Sequence, residues 1–120
     1  MSVAIVSLAG AVAGERSVPA ADRLVAGTPE LVVRNFYGEA TGQFFAGRWS
    51  ATRGKWRVSY TEHELCVMTS GRVVIESAAG ERYAFGPGDA FVVPAGFTGT
   101  WEVVEDCSKI YAIFEAARPG

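Results

Sequence analysis

Carboxylate, imidazole and thiol groups crowd one short stretch of this chain. In TRGKWRVSYTEHELCVMTSG, residues 52–71, the only histidine, His63, stands between Glu62 and Glu64, and Cys66 follows. A transition metal needs three or four N, O or S ligands converging on one centre. Extended backbone works against that here, because neighbouring side chains point to opposite faces. Glu64 and Cys66 share a face and His63 takes the other, which leaves at most two ligands together. His63 therefore reads as a partly exposed turn residue. Glu64 is the group left to do chemistry. A lone carboxylate in an apolar cavity has its pKa raised by desolvation, which suits general acid–base work near neutral pH. Equally, Glu64 can be a structural residue bonded to Tyr60 or to a turn amide.

Strands must position these groups. WRVSY (56–60) alternates, with Trp56, Val58 and Tyr60 on one face. HELCVMT (63–69), RVVIES (72–77) and ERYAF (81–85) follow at hairpin spacing, with SG at 70–71 and AAG at 78–80 as turns. LVVRNFY (31–37), QFFAGRWSAT (43–52), DAFVVP (89–94), GTWEVVE (99–105) and KIYAIFE (109–115) complete the series. Short strands with regular turns predict an all-β sandwich or barrel. Residues 15–30 read as a connecting arm with one short helical turn around residues 20–25. The opening VAIVSLAG reads as an edge strand or arm. It lacks the basic residue that precedes the apolar run of a signal peptide.

Composition narrows the class. The chain has 120 residues, 49% of them apolar and 20% charged, enough for one domain with its own core. The formal charge is −2 with both signs interspersed, so nothing marks a nucleic-acid binder. No stretch reaches the length of a membrane span. Cys66 and Cys107 lie far apart and read as reduced thiols of a cytoplasmic protein.

Two turns carry a resemblance. In FGPGDAFVVPAGFTGTW (85–101), Gly88, Pro94 and Gly96 fall at G-x5-P-x-G, which resembles the second motif of the cupin superfamily. Glu64 and Gly71 fit the E-x6-G end of the first motif. Gly47 and Trp49, the Pro87–Trp101 run, and Lys109 with Tyr111 are similar to small single-domain cupins grouped with ethanolamine-utilisation cupins and ureidoglycine aminohydrolase. The resemblance implies an RmlC-like double-stranded β-helix, a jelly-roll barrel, over residues 42–116. Residues 1–41 are then an N-terminal strand and arm packed on it. It also implies metal-binding histidines at 58, 60 and 99. Val58, Tyr60 and Gly99 stand there instead, so no metal and no cofactor are expected.

The expected function is binding or transformation of a small metabolite in the barrel interior without a His-ligated metal. Glu64, Tyr60 and Lys109 are the candidate catalytic groups, although the facing of Lys109 is open. Trp49, Trp56, Cys66, Met68, Trp101 and Tyr111 are the candidate ligand wall. The alternative is a non-catalytic dimeric accessory or regulatory module of a metabolic operon. Strands apolar on both faces need cover on both, so a two-fold homodimer is expected, with residues 3–8 near its interface.

Overall fold

The computed structural model describes residues 3–117. They form an all-β structure: β1 (Glu15–Ser17), β2 (Leu24–Gly27), β3 (Leu31–Gly38), β4 (Phe44–Ala51), β5 (Gly54–Ser59), β6 (His63–Ser77), β7 (Arg82–Phe85), β8 (Ala90–Val93) and β9 (Thr98–Phe114). All pairings are antiparallel, in one sheet that curls into a barrel. Among the described residues no helix is long and apolar enough to cross a membrane.

The frame is a bent ribbon of two long strands. The sequence predicts a hairpin turn at Ser70–Gly71, but β6 runs through it as one strand of 15 residues. Likewise GTWEVVE and KIYAIFE are one strand, β9, of 17 residues. Residues 63–68 pair with 109–114, and 72–77 pair with 99–105, with register shifts between Met68 and Val73. These bulges bend the ribbon over the barrel corner. Gly71 permits the bend, with φ +78°. A Cβ there would run into the Asp106 carbonyl and lie 2.6 Å from Cys107 Cα.

The ribbon's edges recruit the rest. Along β9, the first half pairs with β5 and the second half with β4. Along β6, residues 64–67 pair with β8 and residues 73–76 with β7. The stretch read as a connecting arm contributes β1 and β2, paired with β3 and β5. Instead of a helix around 20–25 there is one turn closed by Arg23 N–H to Ala20 O at 2.8 Å, then β2. These strands are short and exposed, so pairing rather than an apolar period creates them. Residues 3–14 form no strand. Arg48 Nε donates to the Leu8 carbonyl at 2.6 Å and tethers them.

Alternation along β6 puts Glu64, Cys66 and Met68 inside and leaves His63 and Leu65 exposed, as expected. Trp56, Cys66, Met68, Val73, Ile75, Trp101 and Val103 form most of the buried cluster. One half of the barrel is filled by these side chains. The other half is open inside.

Candidate functional site

The open half holds a cavity of about 790 Å³. Its wall is built from inward positions of successive strands. β3 supplies Leu31, Val33 and Asn35; β4 supplies Phe45 and Trp49; β5 supplies Trp56 and Val58; β9 supplies Trp101, Lys109, Tyr111 and Ile113. Tyr60 and Glu62 enter just before β6, and Glu64 on it. The PAGF turn fixes Tyr60 by its backbone. Its N–H donates to Phe97 O at 2.9 Å, and its carbonyl accepts from Gly96 N–H at 2.8 Å. Positive φ at Gly96 makes that turn possible.

Lys109 settles what the carboxylate does. The two are 4% and 6% exposed, and Lys109 Nζ lies 2.9 Å from Glu64 Oε2. Nζ also donates to Cys66 Sγ at 3.4 Å. The ammonium stands 4.5 Å from the Trp49 ring centre and 4.3 Å from that of Trp101. Those rings pack edge to face at 5.5 Å. Desolvation disfavours a buried ammonium, but the Glu64 carboxylate and Cys66 outweigh it, and the net shift of Lys109 is upward. Glu64 is thus one half of a buried ion pair, not the lone carboxylate expected from sequence.

The neighbouring groups are tuned by burial and by this charge. Tyr60 holds its proton above the ordinary tyrosine value through burial first and the Glu64 charge second. Tyr111 shifts the same way for the same two causes. Its hydroxyl donates to Asn35 Oδ1 at 2.7 Å. Gly47 makes that possible, since a Cβ there would sit 2.6 Å from the Tyr111 hydroxyl. The Cys66 thiol is pushed up to about 12, chiefly by burial, and stays protonated. Burial, then Glu115 and Glu64, raise the Glu62 carboxyl.

The structure brings Glu64, Tyr60 and Lys109 to one cavity, with Trp49, Trp56, Trp101 and Tyr111 on its wall. Cys66 lies behind Lys109 rather than on the wall, and Met68 is packed in the core. Sequence reasoning missed Glu62, Asn35, Phe45, Arg23 and Arg57, all of which line the cavity. Glu62 was legible, because it shares the parity of Tyr60 and Glu64. The others depend on how β2 to β5 wrap. His63 faces outward, where Nδ1 accepts from Ala95 N–H at 3.1 Å and the ring stacks on Phe114.

Comparison with known proteins fits this geometry. Residues 38–111 match the family model Cupin_3, described as the EutQ-like cupin domain. The chain belongs to this cupin family. Among solved structures, a DUF861-family protein of unknown function from Pseudomonas syringae superposes with a TM-score of 0.79 at 21% identity, over 90% of this chain and 46% of that one. EutQ of Clostridium difficile gives 0.66 at 15% identity, over 73% and 64%. A DUF861 protein of Thermotoga maritima gives 0.52 at 26% identity, over 53% and 73%. The cupin thus spans about half the length of the first of these relatives. No curated protein matches it.

A cupin metal does not fit the residues present. Val58 offers no donor, and Tyr60 keeps its proton. A Cβ at Gly99 would strike the Glu76 carbonyl, so position 99 has no room for a ligand side chain. Among the described residues no three His, Cys, Asp or Glu groups converge. The cation that faces Glu64 is the Lys109 ammonium.

Proposed function

We propose that this cupin binds a small metabolite in the barrel cavity, and that Glu64, Lys109, Tyr60 and Glu62 form the polar end that meets it. One observation carries this reading: a buried ion pair lies on the wall of a cavity of about 790 Å³. A buried pair adds little to stability compared with apolar packing of the same volume. Pockets that bind small molecules combine apolar and aromatic walls with convergent polar groups, and here aromatic rings stand among charged side chains of both signs. Free, buried Cys66 and Cys107 suit a reducing compartment, which supports the cytoplasm as its location. The test is a thermal-shift screen against a metabolite collection, run beside Val58→Trp with Leu31→Trp, two substitutions that crowd the cavity from facing strands at a cost of about 1–3 kcal/mol each. A ligand that stabilises the wild type and not the crowded variant supports the reading. Equal shifts in both place binding elsewhere and reject it.

A dimeric accessory role rests on a different feature. Val3 and Ile5 are 94% and 96% exposed, in a segment that forms no strand within its own chain. Leu65, Val92 and Phe114 are exposed on the outer face of the sheet. Two copies related by a two-fold axis can cover both surfaces. Light scattering is expected to give twice 12.8 kDa for the full chain. Deletion of residues 1–10 should weaken the dimer, and a monodisperse monomer in both cases rejects it.

A further inference from the structure

On the outer side of the β3–β4 wall lies a groove whose charge has one sign. Val33, Asn35 and Trp49 point into the cavity, so alternation turns Arg34 and Arg48 outward, where both are exposed. The two stand directly opposite each other on the paired strands. Like charges in that position repel. Among the described residues neither guanidinium is in an ion pair. The segment before β1 roofs them. Arg48 Nε donates to the Leu8 carbonyl at 2.6 Å, and Gly14 sits so close that a Cβ would lie 3.2 Å from the Arg34 guanidinium carbon. Between segment and sheet is a groove of about 350 Å³, bordered by Ala9, Gly10, Arg34, Arg48, Ser50 and Ser108. No carboxylate lines it. Ser108 Oγ lies 2.6 Å from both Thr69 Oγ1 and Ser70 Oγ. A hydroxyl rotor of this kind turns its proton toward whichever acceptor arrives.

Two guanidinium forks and two hydroxyls, with no acid among them, fit an oxyanion. The whole chain carries −2, so this concentration of positive charge is local. The Leu8 carbonyl takes Arg48 Nε and leaves its Nη groups to donate. Arginine forks match phosphate oxygens with paired hydrogen bonds. A planar carboxylate presents two oxygens, whereas a tetrahedral phosphate presents acceptors to donors on β3, β4 and β9 together. We propose that the groove is a binding site for a phosphate group, free or borne by a small molecule. The phosphate lies between Arg34 and Arg48, and the Ser50 and Ser108 hydroxyls donate to it. This site is distinct from the barrel cavity and does not depend on the reading of that cavity. β3 and β4 are the single layer between them, and Trp49 borders both.

Inorganic phosphate, glycerol phosphate and acetate are each titrated into the full, ¹⁵N-labelled chain at constant physiological salt, which screens loose pairing of exposed charges. The arginine Nε–H signals are followed and assigned with the Arg34→Gln and Arg48→Gln variants. The proposal predicts saturable binding of both phosphates that moves the signals of Arg34 and Arg48. Either substitution should weaken that binding at least ~10-fold, the lower end of what a charge-assisted hydrogen bond is worth. Arg82→Gln, which removes an arginine paired with Glu76 elsewhere on the surface, should leave it unchanged. Without phosphate, Arg34→Gln should keep or raise the Tm, because it relieves the repulsion between the two arginines. Added phosphate should raise the Tm of the wild type and not of Arg34→Gln. Tighter binding of glycerol phosphate than of inorganic phosphate assigns the site to a phosphorylated small molecule, and equal binding assigns it to free phosphate. Acetate binding as tightly as phosphate overturns the proposal in favour of a carboxylate. Absence of saturation, or phosphate binding that survives both arginine substitutions, overturns it outright.

Discussion

Replacing Lys109 by methionine keeps most of the side-chain volume and removes its charge. Glu64, 6% exposed, then loses the ammonium at 2.9 Å, its one ion-pair partner among the described residues. Removing one member of a buried pair costs about 3–5 kcal/mol, because the other is left uncompensated. The contacts of the ammonium with Trp49 and Trp101 are lost as well, and each such contact is worth ~0.5–2 kcal/mol. The expected loss is therefore at the upper part of the range. For a domain of this size it amounts to a fall in Tm of roughly 10–20 °C. Adding Glu64→Gln removes the orphaned charge and should recover part of the loss, giving a coupling of about 2 kcal/mol in a double-mutant cycle. Urea unfolding of the wild type, both single variants and the double variant measures all terms. A single-variant loss below about 1 kcal/mol, or additive losses in the double variant, would show that the pair is not the desolvated unit described here.

Alkaline conditions should destabilise the fold. Cys66 is pushed up to about 12 and Cys107 to about 11, each mainly by burial, and Lys109 also titrates above its ordinary value. The folded state then keeps protons that the unfolded chain releases, so stability falls as pH rises above about 8.5. Urea midpoints from pH 7 to 10.5 should decline, and less steeply in a Cys66→Ala/Cys107→Ala chain; a flat wild-type profile contradicts the burial of the thiols. Gly47→Ala should strike the Arg34 carbonyl of β3 and also push the Tyr111 hydroxyl off Asn35, because the added Cβ runs into the first and comes within 2.6 Å of the second. A loss of about 1–3 kcal/mol in urea unfolding is the readout, and unchanged stability contradicts the close packing of β3, β4 and Tyr111. Elemental analysis of protein grown with added manganese, iron, zinc and nickel should show no stoichiometric metal. One equivalent that disappears in Glu64→Gln refutes the account of Gly99 and Lys109.

Much of the fold was legible, for reasons particular residues make plain. Period-two alternation at Trp56, Val58 and Tyr60, and at Glu64, Cys66 and Met68, reports the inner face directly, and the structure keeps it. The GPGD and PAG turns were legible because Gly88 and Gly96 take positive φ there. The Ser70–Gly71 pair was misread for an instructive reason. A glycine that admits a close crossing strand looks, in sequence, the same as one that closes a hairpin. Here the crossing partner, Asp106–Cys107, is more than thirty positions away. β1 and β2 were missed because they have no buried face of their own. The ion pair was half legible: both faces of KIYAIFE are apolar, so only the wrap of β4 and β6 around β9 could turn Lys109 inward.

The measurement that tests the central claim most directly is a crystal structure of the protein purified from cell extract, with attention to density inside the barrel. The account predicts an organic molecule against Trp49 and Trp56, with Lys109 Nζ still in contact with Glu64. A metal ion bound to Glu64 with Lys109 turned away would contradict it. So would a cavity filled by the protein's own side chains.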